Sequence, residues 1–320
     1  VITRVGDTFQ GTFSPFSPAG WSGYFDGTGD YLTVAGSSNL AFGTNDFSIE
    51  MFVLFNSTGQ VNFYDQRPQS TNGLYPTIYV TGSAFIAFRT DSADRITSNS
   101  TIAANRWYHI VVSRVSGVTR MFIDGTQQTQ TYNDTNSYLN GTSRPVIGSG
   151  GDGQTVVLNG YISNLRVLNG TGYTSVTVPT SRLTAIANTQ LLTLQDNRFV
   201  DNSSNAFAIT RNGDARIWAF SPFRASAQYS PTAHGGSAYF DSTGDYLDVA
   251  GSTGLAFGTG DWTIEFWIYF FSLSGDRIIY DSRPASTQGA YPTIYQSTNT
   301  IKYYTSSADR ITSSATIVAG

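Results

Sequence analysis

The chain has 320 residues, 40% hydrophobic and 14% aromatic, enough to fill a packed core and to exclude a disordered segment despite only 12% charge. Its 18 basic and 22 acidic residues give a formal charge of −4 with no basic run to neutralise phosphates, so nucleic acid is not expected as a partner. Cysteine is absent, which removes disulfides, thiol nucleophiles and thiolate metal sites, and no apolar run approaches the roughly 20 residues that span a bilayer.

Taken in order, the chain repeats itself. The opening VITRVGDTFQGT has a counterpart in AITRNGDARIWA: Ile2-Thr3-Arg4 recurs as Ile209-Thr210-Arg211, 207 positions on. Phe13-Ser14-Pro15-Phe16 recurs as Phe220-Ser221-Pro222-Phe223 at the same offset. The next match is longer. YFDGTGDYLTVAGSSNLAFGTNDFSIE, from Tyr24 to Glu50, returns without a gap as YFDSTGDYLDVAGSTGLAFGTGDWTIE, from Tyr239 to Glu265, 215 positions on. An internal repeat of this length sets the architecture before any single residue is interpreted. The first residues already lie inside a repeat, and the second copy stops at Gly320 before any counterpart of NRWYHIVVSRVSGVTRMFIDG. The expectation is a window onto a longer tandem array.

Periodicity is nearly all β. Phe47, Ile49, Met51, Val53 and Phe55 alternate along one face of a strand, with Ser48, Glu50, Phe52 and Leu54 on the other. Two largely apolar faces predict a central strand, with one side in the core and the other in a groove or under a loop. Further strands are expected at 77–80, 84–89, 108–114, 119–123 and 160–167. Between them lie turn signals at Asn72-Gly73, Asp124-Gly125, Asn140-Gly141, Asn159-Gly160 and Asn169-Gly170. No stretch of helical period appears, and many short strands with frequent turns predict a sandwich or jelly roll.

Five blocks, YFDGTGDYLTV, DFSIEMFVLF, RWYHIVVSR, TRMFIDG and GYISNLRVL, resemble in order and spacing the laminin G-like, concanavalin A-like lectin/glucanase group. The resemblance implies an all-β, concanavalin A-like jelly-roll sandwich of two curved antiparallel sheets, tandemly repeated, with a concave face that often binds glycans. Domains of this group open with a short strand, here Leu191-Leu192-Thr193-Leu194 before an Asp/Ser/Asn segment. That places copy one at 1–187, lacking its opening strand, and copy two at 188–320, lacking its C-terminal part. A chain rich in Ser, Thr, Asn and Gly, with Lys302 as its one lysine, is also similar in style to tail-fibre and structural proteins of marine bacteriophages and to giant bacterial surface proteins.

Laminarinase-like glucanases of this fold carry two or three acidic residues alternating on one strand, so that a nucleophile and an acid stand about 5–5.5 Å apart. The matching strand here has Glu50 between Ser48 and Phe52, and copy two has Glu265 between Thr263 and Trp267. A single carboxylate cannot serve in both roles. The two histidines, His109 and His234, fall at non-equivalent positions of the repeat, which gives little support to a triad or a zinc site. No catalytic residue is therefore assigned.

Asp26 and Asp30 share a Gly-rich turn, with Asp241 and Asp245 in copy two, and make a candidate calcium site. The alternative is that these carboxylates hydrogen-bond their own turn. Beyond a structural calcium no cofactor is expected. Candidate glycan-binding residues are Arg67, Tyr75, Tyr79, Asp94 and Arg95, with Arg283, Tyr291, Tyr295, Asp309 and Arg310 in copy two. Tyrosine faces and planar guanidinium groups suit a sugar's apolar face and its hydroxyls. The alternative is an internal Arg–Asp network. Trp267 and Tyr269 are added as stacking platforms, although copy one has Phe52 and Leu54 there. Asn-x-Ser/Thr triplets at Asn56, Asn99, Asn133, Asn140, Asn169 and Asn202 follow from composition.

The expected function is a non-enzymatic structural and adhesive module on a phage tail fibre or virion surface. Its expected partners are host surface glycans, neighbouring repeats and other virion or surface-array subunits, with no membrane. The alternatives are a spacer or decoration protein with no ligand, and an extracellular adhesin of the bacterial cell surface.

Overall fold

The computed structural model describes residues 2–5, 9–11, 20–35, 38–68, 72–150, 156–218, 222–223, 237–251, 253–284 and 289–319. The chain divides into two compact units, Val1–Gly251 and Ser252–Gly320. Among the described residues there is no α-helix, and no helix is long and apolar enough to cross a membrane.

In the first unit the strands run in the order β1 (Ile2–Val5), β2 (Phe9–Gly11), β3 (Ser22–Asp26), β4 (Tyr31–Val34), β5 (Phe47–Phe55), β6 (Val61–Asp65), β7 (Thr77–Val80), β8 (Phe85–Thr90) and β9 (Ala93–Thr101). They continue with β10 (Trp107–Val115), β11 (Val118–Ile123), β12 (Thr126–Asn133), β13 (Val146–Ile147), β14 (Asn159–Asn169), β15 (Thr189–Thr193), β16 (Ile209–Asn212), β17 (Arg216–Trp218), β18 (Ser237–Tyr239) and β19 (Tyr246–Val249). One antiparallel sheet is ordered β12-β11-β10-β5-β14-β3-β17, with β15 also pairing β14, and the other is ordered β16-β4-β13-β6-β7-β8-β9. This is the two-sheet jelly roll that the alternation predicts.

The core lies between the sheets. Phe47, Ile49, Met51, Val53 and Phe55 of β5 are all fully buried against Phe63, Ile78, Phe88, Ile110 and Leu165. The other face of β5 is also closed, because 170–187 crosses over it. Tyr173 N–H donates to Ser113 Oγ of β10 at 2.6 Å, and Leu183 N–H donates to Asn164 Oδ1 of β14 at 2.8 Å. Asn164 reaches that donor because β14 bulges between Ser163 and Arg166, with φ 55° at Asn164. The second face of β5 thus lies under a loop.

Three hairpins turn on pairs of positive-φ residues, Asp91-Ser92, Ser116-Gly117 and Asp124-Gly125. Asp124-Gly125 is where the sequence places a turn. Asp91-Ser92 carries no glycine and gives no such signal. Asn159-Gly160 is a correction: it opens β14 and does not turn the chain. The glycine serves close approach there, since a Cβ would fall 2.1 Å from the Leu54 carbonyl oxygen. The expected strands at 77–80, 84–89, 108–114, 119–123 and 160–167 all form, within two residues at each end.

One end of the sandwich is held by a buried cation. Arg114, 1% exposed, donates to the carbonyls of Gly43, Asn45 and Asn136 and lies 3.5 Å from Asp134. Its guanidinium stacks on Phe47 and Tyr138, 5.2 and 4.9 Å from their ring centres. Asp134 also accepts from the Thr119 and Tyr138 hydroxyls.

The second unit contains β20 (Arg277–Asp281), β21 (Thr293–Ser297), β22 (Thr300–Thr305) and β23 (Ala308–Thr312) in one antiparallel sheet of that order. Its pairing reproduces that of β6–β9. Asp65↔Thr77 and Arg89↔Asp94 have the counterparts Asp281↔Thr293 and Tyr304↔Asp309, and the bulge between Asn62 and Tyr64 has its counterpart between Ile278 and Tyr280. The stretch 262–270 corresponds to β5 but makes no ladder, and Trp267 is 74% exposed. β5 is paired on both sides by β10 and β14, and 252–320 holds no counterpart of either.

The boundary implied by the family resemblance divides the chain at 187/188, whereas the compact units divide at Gly251/Ser252. The difference has a physical source: β15, β16 and β17 pair with β14, β4 and β3, so 189–218 fills the sandwich of the first unit.

Arg114→Met leaves Asp134 buried without its cation and frees three carbonyls, so it should cost about 3–5 kcal/mol in chemical denaturation. Tyr138→Phe removes one of several donors to Asp134 and should cost only about 1 kcal/mol in the same experiment.

Candidate functional site

The outward face of β6–β9 carries a transverse polar row. The register sets Asp65, Thr77, Arg89 and Asp94 opposite one another across the four strands. Alternation turns their neighbours Tyr64, Ile78 and Phe88 into the core, and on β9 the register shift opposite Phe88 and Arg89 brings Ile96, two residues past Asp94, to the core side. At one end of the row Asp65, almost fully buried, accepts from Arg67 Nε and Nη2, from Arg67 N–H and from Thr77 Oγ1. At the other end Tyr79 donates its hydroxyl to Asp94 at 2.7 Å, and Arg89 Nη1 donates both to Asp94 at 2.9 Å and to the Tyr79 oxygen at 3.2 Å. Burial, and then the bond to Asp94, raise the Tyr79 phenol above its usual range. The Arg89 and Asp94 side chains are about one third exposed, at 34% and 33%, so this end of the row faces solvent.

The row recurs in β20–β23 as Asp281, Thr293, Tyr304 and Asp309. Arg283 grips Asp281 through Nε and Nη2, and Tyr295 donates to Asp309 at 2.7 Å. Burial alone would raise the Asp281 carboxyl, but the hydrogen bonds from Arg283 outweigh it and hold that group below the usual range. Tyrosine stands at 304 where the first unit has Arg89. The cation comes instead from Lys302, one pair along on β22, whose Nζ lies 3.0 Å from Asp309. The chemistry of tyrosine, carboxylate and cation is kept while the cation's position moves.

Of the expected glycan residues, the structure brings together Arg67, Tyr79 and Asp94 on one face, and Arg283, Tyr295 and Asp309 on the other sheet. Arg95 and Arg310 point elsewhere. Arg95 Nε donates to the Thr90 carbonyl and its guanidinium stacks 5.0 Å from the Tyr132 ring centre, and Arg310 Nε donates to the Thr305 carbonyl. Tyr75 and Tyr291 lie in the connections before β7 and β21, each beside a glycine, Gly73 or Gly289. Trp267 and Tyr269 lie in the unladdered stretch, while their counterparts Phe52 and Leu54 are buried, Phe52 against the rings of His109 and Phe223. Sequence reasoning missed Thr77, Arg89 and Lys302. Their membership depends on cross-strand register, which the Asp91-Ser92 turn sets only for the pairing of Arg89 with Asp94.

Glu50 sits at the centre of the covered face. It accepts from Arg166 Nη2 of β14 at 2.6 Å and lies 3.0 Å from His109 Nε2 of β10. Burial alone would raise its carboxyl, but the bond to His109 and the Arg166 charge hold it below the usual range. Arg166 also donates to the Thr184 carbonyl and the Tyr173 hydroxyl of the covering segment. The arrangement is a closed ion pair.

At the β3–β4 turn Asp26 Oδ1 accepts from Thr28 N–H, and Asp30 Oδ2 accepts from Asp26 N–H. Asp241 and Asp245 repeat both bonds with Thr243 and Asp241. A third carboxylate, Asp214, joins the first turn from the β16–β17 connection, and its N–H donates to Asp30 Oδ1 at 2.7 Å. By sequence its counterpart in the other copy is Asp7, which lies outside the described residues. Calcium takes six to eight oxygens. Both Asp30 oxygens already accept backbone N–H groups, so the cluster fits turn stabilisation better than a cation.

A separate cleft of about 310 Å³ opens at the rim, between the edge strands β9 and β12. Arg106 stacks on Tyr108 there and pairs with Asp124, while across the two edges Asn99 N–H donates to Gln128 Oε1 and Thr129 N–H donates to Asn99 Oδ1.

Burial, followed by the neighbouring Asp214, pushes the Asp30 carboxyl up to about 6. The folded state then holds a proton that the unfolded chain has lost, so this group's contribution falls as pH rises from about 4 through 6. Asp30→Asn should flatten that part of the melting temperature profile relative to the parent chain. A calcium-dependent rise in melting temperature at pH 7, absent in Asp30→Asn, would assign the cluster to a cation instead.

Residues 26–174 match the family described as the concanavalin A-like lectin/glucanases superfamily. No curated protein matches the sequence. Among solved structures, a candidate carbohydrate binding protein from Bacteroides ovatus is similar at 14% identity and a TM-score of 0.49, over 66% of this chain and 63% of that one. The heptameric SAP-like pentraxin of Limulus polyphemus is similar at 11% identity and 0.46, over 64% of this chain and 96% of that one. Domains LG4-5 of the mouse laminin alpha1 chain are similar at 14% and 0.36, over 53% and 45%. The chain thus spans less than two thirds of the Bacteroides protein and less than half of the laminin fragment. Residues 26–174, the stretch that matches this family, fold as the greater part of the two-sheet jelly-roll sandwich.

Proposed function

We propose that the chain is a non-enzymatic carbohydrate-binding and adhesive module, with glycan contact on the polar row of β6–β9 and its counterpart on β20–β23. The observation that carries this reading is the exposed end of that row. A planar guanidinium and a carboxylate, each about one third exposed, stand within hydrogen-bond reach of one another and of the hydroxyl of the buried Tyr79. Such a group offers both donors and acceptors to vicinal hydroxyls.

The non-enzymatic part of the reading is supported by Glu50. A retaining or inverting glycosidase needs two carboxyl groups flanking an accessible bond. Glu50 is instead paired to Arg166 under 170–187, and the residues beside it on that face, Ser48 and Phe52, carry no second carboxylate. We place the module on a surface that meets host glycans, a phage tail fibre or virion, with a bacterial cell surface as the alternative. Its partners there are a host surface polysaccharide and neighbouring copies of the repeat.

A glycan array on the full chain should show retention on neutral or weakly acidic polysaccharides. Arg89→Ala should weaken that retention about tenfold, roughly 1.4 kcal/mol. The same variant should change unfolding stability by no more than about 1 kcal/mol, because the ion pair it breaks is partly exposed. Uniform blanks across host-surface polysaccharides would leave the ligand-free spacer as the reading. Glu50→Gln should lower stability by about 3 kcal/mol, the cost of breaking a buried pair. It should leave reducing-sugar release from β-glucans at the background of the parent chain.

A further inference from the structure

The two copies complete each other's sheets. β16 lies at the edge of one sheet beside β4, and β17 lies at the edge of the other beside β3, so the hairpin 209–218 closes one open side of the sandwich across both layers. Its counterpart by sequence is 2–11, and those strands, β1 and β2, pair with β19 and β18. Ile209↔Val34 in the first case corresponds to Ile2↔Val249 in the second. Arg216↔Tyr24 corresponds to Phe9↔Tyr239. In each of the seven pairs the donor residues differ by 207 positions and the acceptors by 215, the two offsets of the sequence match. Each hairpin therefore sits in the register that fits either acceptor.

The pairing is also crossed. Segment 2–11 is followed in the chain by β3 and β4 yet pairs with β18 and β19, and 209–218 is followed by β18 and β19 yet pairs with β3 and β4. Nothing in the backbone ladder distinguishes a donor from its own copy, from the other copy, or from another molecule. The side chains add apolar anchorage that is equally indifferent to connectivity. Ala215 and Ile217 are fully buried, Ile209 packs against the core, and Arg216 stacks between Tyr24 and Trp218 at 5.0 and 5.2 Å. Asp214 fixes the hairpin's turn through its N–H bond to Asp30. Without this hairpin, β3 and β4 would both present open ladder groups, the template that an added strand occupies.

We propose that the 209–218 hairpin is an exchangeable donor, and that copies of this chain link to one another by inserting it at the β3–β4 edge of a second copy. The partner is another molecule of the same chain, and recognition is by strand register with Ile217 and Ala215 as anchors. The exchange breaks and forms only non-covalent contacts, and it conserves every pairing seen within one chain.

The absence of cysteine makes the test direct. Thr33 and Thr210 face each other in the ladder, both on the outward side. Full-length Thr33→Cys and Thr210→Cys chains, one isotope-labelled, are unfolded together, refolded at high concentration and oxidised. A mixed disulfide dimer of labelled and unlabelled chains is expected, several-fold more abundant than when Thr210→Cys is replaced by Thr243→Cys, which lies outside the ladder. The double variant carrying both cysteines on one chain reports that the ladder forms. Closure of that intramolecular disulfide while the mixed single variants stay monomeric would overturn the proposal, as would equal dimer yields from Thr210→Cys and Thr243→Cys.

Discussion

The ion pair of Glu50 and Arg166 is the constraint on which the rest of this sandwich depends. It crosses the seam between β5 and β14, with His109 of β10 on its other side, so three central strands meet at one desolvated charge. A buried carboxylate is tolerable only where its partners are fixed and its remaining lone pairs are met. Arg166 places Nη1 on the Thr184 carbonyl of the covering segment. Strand order, the closed outer face of β5 and the path of 170–187 follow from the same electrostatic need. An open groove on this face would leave the charge solvated and the cover without its anchor.

The second sheet solves a different problem. Its outward face is polar but not loose, because each charged side chain is held by a neighbour: Arg67 by Asp65, two residues before it, and Arg89 by Asp94 and Tyr79 on the adjacent strands. Fixed donors lose little freedom when a ligand arrives, which is how modest polar surfaces acquire useful affinity. The second unit reaches the same chemistry by another route, with Lys302 beside Asp309 where the first unit has Arg89 beside Asp94. A flexible ammonium and a planar guanidinium do not present the same geometry to a diol. The two faces are thus related in design and distinct in detail.

Much of the fold was legible in the sequence. The alternation of Phe47, Ile49, Met51, Val53 and Phe55, with a second apolar face behind it, led to a central strand and to a cover. The five strands expected from pattern alone formed near their expected limits. Less legible were the short strands β3, β4, β13, β16 and β17, each too brief for a period to register. The candidate site was half legible. Arg67, Tyr79 and Asp94 were found by composition, but Arg89 and Thr77 join them only through register, and the pairing of Arg89 with Asp94 turns on Asp91-Ser92, which has no glycine to announce it. Asp214 was invisible for a related reason: it lies 184 residues from Asp30 and meets it only because β16 docks on β4.

The donation of 209–218 to the sheets of the first copy also has a thermodynamic consequence. Folding units are usually drawn around stretches of sequence, and a repeat is usually pictured as a bead that melts by itself. Here the sequence that opens one copy is buried in the other, at Ala215 and Ile217. Unfolding either copy removes strands from its neighbour, so their stabilities are coupled through shared covalent structure and not merely through contact. Chains built this way lose and regain order together, and a weakness in one copy is felt across the boundary that the sequence draws.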